Sequence, residues 1–87
     1  MPVEQIDSYE EKGGGVKVEE RRVRVKAMKR ENALSMFETW AYTETPLDEP
    51  SMYTVKDLER KEGREYVATA VIVSGDQSKF PEIREAV

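Results

Sequence analysis

The stretch from Arg64 to Ser74 is largely apolar at both its even and its odd positions. Every residue from Tyr66 to Val73 is β-branched or aromatic, apart from two alanines. A strand with two apolar faces needs cover on both of them, and β-branched side chains suit a strand better than a helix. The pattern therefore predicts that 64–74 is the central strand of a sheet, and it disfavours a buried helix.

Two other segments alternate between apolar and polar residues. In 16–28 the apolar positions change register once, between Val18 and Val23, which predicts a long bent strand or two short ones. After a polar connection, 33–43 alternates again and predicts a strand that forms a β-hairpin with the first. The apolar face of this second strand would consist of Leu34, Met36, Trp40 and Tyr42.

The next segments predict a loop and a short helix. Residues 44–51 contain two prolines and three acids, which is typical of a loop. Thr54 and Gly63 are suited to the two ends of a helix over 54–62, Thr54 as its N-cap and Gly63 just after its last turn.

A second interpretation makes 52–60 a strand that turns directly into 64–74. Strand-forming residues are sparse after Val55, and a tight hairpin would set Glu59 opposite Glu65, where like charges repel. We therefore favour the helix.

The C-terminal residues predict a second short helix. Pro81 suits a first helical position, because proline lacks the N–H that a helix start leaves unpaired. The helix would lay Phe80, Ile83 and Val87 on the sheet.

Together these elements predict an α+β fold. The N-terminal residues 1–15 are acidic, end in three glycines and are expected to form a flexible arm before a single small domain over 16–87. We expect a three-stranded antiparallel sheet (16–28, 33–43, 64–74) with short helices near 54–62 and at the C-terminus. The alternative is a small all-β barrel, similar to oligonucleotide-binding folds, in which 52–60 is a strand.

Composition excludes several kinds of chemistry. The chain of 87 residues contains no cysteine and no histidine, which removes disulfides, thiolate metal sites and histidine-dependent catalytic triads. We therefore expect a protein that is not an enzyme and needs no cofactor or metal. The N-terminus lacks the apolar run of a secretory signal, and no stretch approaches the roughly 20 apolar residues of a membrane span, so we expect a cytoplasmic location.

Charge is distributed in blocks along the chain. Residues 16–30 carry seven basic and two acidic side chains, whereas 31–50 carry five acids and no base. The first fifteen residues are acidic as well. The basic block is therefore expected to face either a polyanion or its own acidic neighbours.

The acidic block leads to the first functional hypothesis. A small core favours burial of further apolar surface against another protein or a copy of the same chain, and acidic loops are suited to basic partners. We predict a non-enzymatic protein-interaction or assembly module, such as an accessory subunit, a structural protein or a small inhibitor, that uses this block and a sheet edge. The candidate partner-binding residues are Glu38, Glu44, Asp48 and Glu49.

The basic block leads to the alternative hypothesis, which is single-stranded nucleic-acid binding. Basic side chains on a strand neutralise phosphates, while an aromatic on the neighbouring strand stacks on a base. The candidate residues are Arg21, Arg22, Arg24, Lys26, Lys29 and Arg30 for phosphates and Phe37 for stacking.

Overall fold

The computed structural model describes residues 3–86, in which four strands form one antiparallel sheet with two helices packed against it. In chain order the elements are β1 (Glu4–Gly13), β2 (Val16–Lys26), α1 (Arg30–Glu44), β3 (Ser51–Arg60), β4 (Glu65–Gly75), a 3₁₀ turn (Gln77–Lys79) and α2 (Phe80–Ala86). The strands lie in the order β1-β2-β4-β3. The α+β class and the antiparallel sheet are confirmed, with four strands where three were predicted.

β4 is the central strand that the apolar stretch predicts. It pairs with β2 on one side and with β3 on the other, and its residues are buried from Tyr66 to Ser74 except for a half-buried Thr69. Tyr66, Ala68 and Ala70 pack under α1, whereas Val71 and Val73 pack with Phe80 of α2. Each helix thus covers part of the sheet, on opposite faces.

The predicted strand over 33–43 is wrong, because this segment forms most of α1. Its buried residues are Ala33, Phe37, Trp40 and Ala41, which recur at the i, i+4, i+7, i+8 spacing of a helix stripe. Alanine, leucine, methionine and glutamate also favour a helix over a strand. The alternation of Leu34 and Met36 was therefore a coincidence within a helical pattern.

The helix predicted over 54–62 is also wrong, and the competing strand interpretation holds. A bulge in β3 between Lys56 and Glu59 shifts the register, so that Glu59 faces Val67. The repulsion between glutamates that disfavoured a strand therefore does not arise. The described residues form an open sheet under a 15-residue helix, so the all-β barrel is excluded for them.

The N-terminal segment predicted as a flexible arm forms β1 over Glu4–Gly13. It pairs with β2 along its whole length, from Glu4 opposite Arg24 to Gly13 opposite Val16. Of the three glycines at the end of the predicted arm, Gly13 ends β1, and Gly14 and Gly15 form the tight turn of this hairpin. Residues 1–2 of the predicted arm lie outside the described residues.

β2 contains no bulge at the predicted change of register, since it pairs with β4 from Val16 to Lys26 without a shift. Val16 and Val18 pack in the cluster with α2, whereas Val23 and Val25 pack under α1. A regular strand therefore contributes to two apolar clusters on opposite faces. For this reason its apolar residues are even-numbered at the start of the strand and odd-numbered at its end.

The predicted C-terminal helix is confirmed as α2. Phe80 is buried and Ile83 half-buried against the β4 valines, whereas Val87 lies outside the described residues. None of the helices in residues 3–86 is both long and apolar enough to cross a membrane.

Candidate protein-interaction surface

Two tyrosines contact each other on the surface between α1 and β3. Tyr42 follows the buried stripe of α1 and is 59% exposed, while Tyr53 of β3 is 38% exposed. Their ring centroids are 6.2 Å apart, and the rings meet edge to face at 68°. This geometry is favourable for aromatic pairs. Much of the apolar area of the pair remains accessible to solvent.

Both tyrosines line a shallow groove of about 340 Å³ together with polar side chains of α1. Glu38 lies one turn before Tyr42 on the helix, and Ser35 and Thr39 complete the lining. Aromatic rings beside a carboxylate attract an ammonium or guanidinium group, through cation–π and charge-assisted contacts. The groove is suited to a lysine or arginine side chain.

The four predicted partner-binding acids lie on α1 or on the loop that follows it. Glu38 lines the groove and Glu44 is the last residue of α1, while Asp48 and Glu49 are exposed in the loop. Leu47 in the same loop is 88% exposed. We call this set the acidic aromatic surface; it consists of Glu38, Tyr42, Glu44, Leu47, Asp48, Glu49 and Tyr53.

The loop between α1 and β3 is held at both ends by hydrogen bonds. The Thr45 hydroxyl donates to the Ala41 carbonyl at 2.7 Å, and the Ser51 hydroxyl donates to the Pro46 carbonyl at 2.9 Å. The backbone N–H of Gly75 in β4 donates to the Pro50 carbonyl at 3.0 Å. These hydrogen bonds hold the two ends of the loop that carries Leu47, Asp48 and Glu49.

Arg21 fixes the end of α1 to the sheet. Its guanidinium lies 2.5 Å from Glu44 and 2.6 Å from Glu19, and 5.8 Å from the centre of the Trp40 ring. Burial of Glu19 opposes its ionisation, but hydrogen bonds from Arg21 and Lys17 outweigh that effect and lower the pKa of Glu19. Arg21 is thus engaged in the fold.

The predicted phosphate-binding residues do not form one surface. Arg22 and Arg24 lie on the face of the sheet opposite α1, because alternate residues of β2 point to opposite faces. Arg22 contacts Glu59 at 3.4 Å, and Arg24 forms an ion pair with Glu4. These two arginines are therefore paired with carboxylates of other strands of the sheet, Arg24 with the adjacent β1 and Arg22 with β3 across β4.

Of the remaining candidates for nucleic-acid binding, Lys26 extends the face of Arg22 and Arg24 to the end of β2, whereas Lys29 and Arg30 lie beyond this strand. Lys26, Lys29 and Arg30 are exposed at the end of β2 and the start of α1. The Phe37 side chain is completely buried between α1 and the sheet, so the prediction that it stacks on a base is wrong. Phosphate binding by the three exposed residues stays a prediction.

Sequence reasoning missed the contact between Tyr42 and Tyr53. It placed Tyr42 on the apolar face of a strand and Tyr53 next to a helix. The signal lay in the helical period, since Tyr42 falls outside the stripe formed by Phe37 and Trp40. An aromatic outside a buried stripe is an expected surface residue.

Comparisons of the chain with models of protein families, with curated proteins and with solved structures found no significant match in any of the three. Within residues 3–86, potential metal ligands nowhere form a group of three or more. The chemistry that the acidic aromatic surface can perform is recognition of a cationic side chain.

Proposed function

We propose that this chain is a non-enzymatic protein-interaction module, and that its acidic aromatic surface binds a basic segment of another protein. The observation that carries the proposal is the exposed Tyr42–Tyr53 pair beside Glu38. Tyrosine is enriched among the residues that contribute most to binding at protein interfaces, since it offers a large contact area and a hydroxyl.

Charge supports a basic partner. The 20 residues from 31 to 50 include α1 after its first residue and the following loop, and they carry five acids and no base. Such a surface attracts cationic segments at long range and repels acidic ones. Leu47 and the tyrosines would then contribute the apolar contacts that hold the partner once it is bound.

The proposal is tested by selecting peptides from a random display library against the whole chain. The enriched peptides are expected to carry lysine or arginine, and their binding should weaken between about 50 and about 200 mM salt, because exposed charges are screened. Tyr42→Ala and Glu38→Lys should each reduce affinity by about tenfold or more. Glu62→Lys is the matched control, since it makes the same charge change in the turn between β3 and β4.

Selection of neutral or acidic peptides, failure to enrich any peptide, or equal binding by Tyr42→Ala would each contradict the proposal. The same chain is also titrated with a mixed single-stranded oligonucleotide. If Lys26→Glu and Arg30→Glu lose affinity for the oligonucleotide while Tyr42→Ala keeps it, the nucleic-acid hypothesis is favoured instead.

A further inference from the structure

β1 is an edge strand whose two faces are both uncovered. All ten of its residues are exposed, although the strand pairs with β2 along its full length. Neither apolar cluster of the described residues includes any part of it, and only the preceding Val3 packs under α1. Its outer backbone edge has no strand beside it in residues 3–86. Such an edge can accept a further strand.

The side chains of β1 give this edge a definite character. A bulge near Ile6 separates its start from a regular run over 7–13. In that run Asp7, Tyr9 and Glu11 share one face, because they stand opposite alternate residues of β2. Tyr9 is 59% exposed and donates a hydrogen bond to Glu11 at 3.2 Å. This face therefore presents an aromatic ring between two carboxylates.

We propose that β1 is a docking edge for an extended, basic segment of a partner protein, which adds to the sheet as a fifth strand. Lysine or arginine at alternate positions of that segment would lie beside Asp7 and Glu11. Neither acid forms an ion pair with another described residue, so both remain accessible to a cationic partner. This proposal does not depend on the acidic aromatic surface, and either can fail alone.

Charge argues against a second copy as the added strand. β1 carries four acids and one lysine. Two copies paired edge to edge would bring eight carboxylates together with two ammonium groups, and like charges on adjacent strands repel. The edge is therefore complementary to a cationic strand and not to itself.

The opposite edge of the sheet is less suited to strand addition. β3 is interrupted by its bulge, where Asp57 has a positive φ of 55°. Bulges in the middle of an edge strand twist the edge and prevent regular pairing. The bulge of β1 lies near its start instead, and leaves the seven residues 7–13 in unbroken register.

The test uses the whole chain and a labelled peptide of about ten residues in which lysine and threonine alternate, a length that matches β1. We expect binding by fluorescence anisotropy, together with slowed hydrogen exchange at amides of 7–13. A second peptide has two central threonines replaced by proline, which keeps the charge but removes backbone donors. It should bind about tenfold more weakly or worse.

Charge variants locate the binding site. Asp7→Lys combined with Glu11→Lys should weaken binding of the lysine–threonine peptide by about tenfold or more. Glu62→Lys combined with Glu85→Lys makes the same charge change at exposed positions outside both proposed surfaces and should leave the affinity unchanged. Asp48→Lys combined with Glu49→Lys reports whether the peptide binds the acidic aromatic surface instead. Should the first double variant not fold, as judged by Trp40 emission, the near-isosteric pair Asp7→Asn and Glu11→Gln replaces it.

Three results would overturn the proposal. The first is absence of binding or of amide protection in 7–13. The second is equal binding by the proline peptide, or a loss confined to the Asp48 and Glu49 variant, which would place the peptide on the acidic aromatic surface. The third is protection of 7–13 without peptide, together with dimers in sedimentation, which would identify a second copy as the occupant.

Discussion

Replacement of Gly75 by alanine is expected to destabilise the fold strongly, because three chain segments meet at this residue. Gly75 ends β4 with a φ of +117°, a conformation that L-residues rarely adopt. A Cβ atom there would lie 2.3 Å from the Gly15 carbonyl oxygen and 3.1 Å from the Val16 Cα. The atoms in the way belong to the backbone of the β1–β2 turn, so they cannot move aside by a change of rotamer.

The expected loss follows from two contributions. Holding alanine at a strained φ costs about 1–3 kcal/mol. Relief of the clash would move residue 75 away from the turn and weaken two hydrogen bonds. The Gly75 N–H donates to the Pro50 carbonyl and the Asp76 N–H donates to the Gly15 carbonyl, each at 3.0 Å. Each contributes about 0.5–1.5 kcal/mol. We therefore expect a loss of about 2–6 kcal/mol, from the roughly 4–13 kcal/mol typical of a chain of this length.

Two other glycines provide matched controls. Gly63 has a φ of +61° but no atom within 4 Å of a Cβ, so Gly63→Ala should cost only the left-handed penalty of about 1 kcal/mol. Gly13 also has open space, and its φ lies outside the left-handed range, so Gly13→Ala should change stability by less than about 0.5 kcal/mol.

The assay is urea unfolding followed by emission of Trp40, which is only 9% exposed in the folded chain and becomes solvated on unfolding. The expected order of destabilisation is Gly75→Ala, then Gly63→Ala, then Gly13→Ala. If Gly75→Ala lies within about 1 kcal/mol of Gly63→Ala, the close approach to the β1–β2 turn does not contribute as the geometry requires.

Two further substitutions separate core from surface and test one ion network. Phe37→Ala should cost about 3–5 kcal/mol in the same assay, while the exposed Tyr42→Ala should cost less than about 1 kcal/mol; equal losses would contradict the burial of Phe37. Glu19→Gln tests the carboxylate whose pKa is lowered because hydrogen bonds from Arg21 and Lys17 outweigh its burial. A pKa that is lower in the folded state stabilises the fold above the unfolded value of 4.5, and this stabilisation is lost as pH falls through the folded pKa. Glu19→Gln should therefore cost on the order of 1 kcal/mol at pH 7 and progressively less as the pH falls below 4.5, and a cost that does not change with pH would refute the linkage.

The central strand could be predicted from the sequence because its pattern has one physical solution. β4 is apolar in both registers, and only a strand covered on both faces needs that. The short C-terminal helix was equally accessible, since Pro81 lies in its first turn and Phe80 supplies an apolar anchor.

α1 could not be predicted with the same security because its residues fit two periods. Leu34, Met36, Trp40 and Tyr42 alternate as in a strand, whereas Phe37 and Trp40 belong to a helical stripe. Packing against the sheet favours the helix over the strand, because the small Ala68 and Ala70 of β4 leave room for large side chains of α1. That complementarity lies in a tertiary contact, and local sequence does not contain it.

β3 was difficult to predict because its strand pairing depends on one residue with an unusual backbone conformation. Asp57 has a positive φ, and the bulge around it removes the charge conflict that a regular hairpin would create. Aspartate tolerates the left-handed region better than most residues, but many aspartates occur elsewhere, so this identity alone does not predict a bulge. The candidate acids could be predicted from the sequence because they form a block of like charge. The Tyr42–Tyr53 contact could not, because it depends on the positions of α1 and β3 in the fold.

The position of the basic side chains on β2 is explained by the parts of the sheet that the two helices leave uncovered. α1 covers one end of one face and α2 covers the other end of the opposite face, so each face has an uncovered half. On the half opposite α1, Arg22 pairs with Glu59, and Lys56 lies 3.5 Å from Glu20. Val67 lies on this half and is only 5% exposed, which fits cover by the aliphatic stems of long side chains.

The arginines of β2 that suggested phosphate binding are thus engaged in completing a sheet that two small helices cannot cover. Charge reversal at Arg22 would remove an internal partner of Glu59 as well as any external ligand, so such a variant cannot by itself identify a binding site. Some acids of β1 and of the acidic aromatic surface are different, because Asp7, Asp48 and Glu49 form no ion pair within the described chain, whereas Glu4, Glu10 and Glu44 do. Charges that the fold does not pair are the better guide to a partner. Among the described residues they include these acids and also the exposed Lys26, Lys29 and Arg30, so the peptide and the oligonucleotide titrations are both needed to identify the partner.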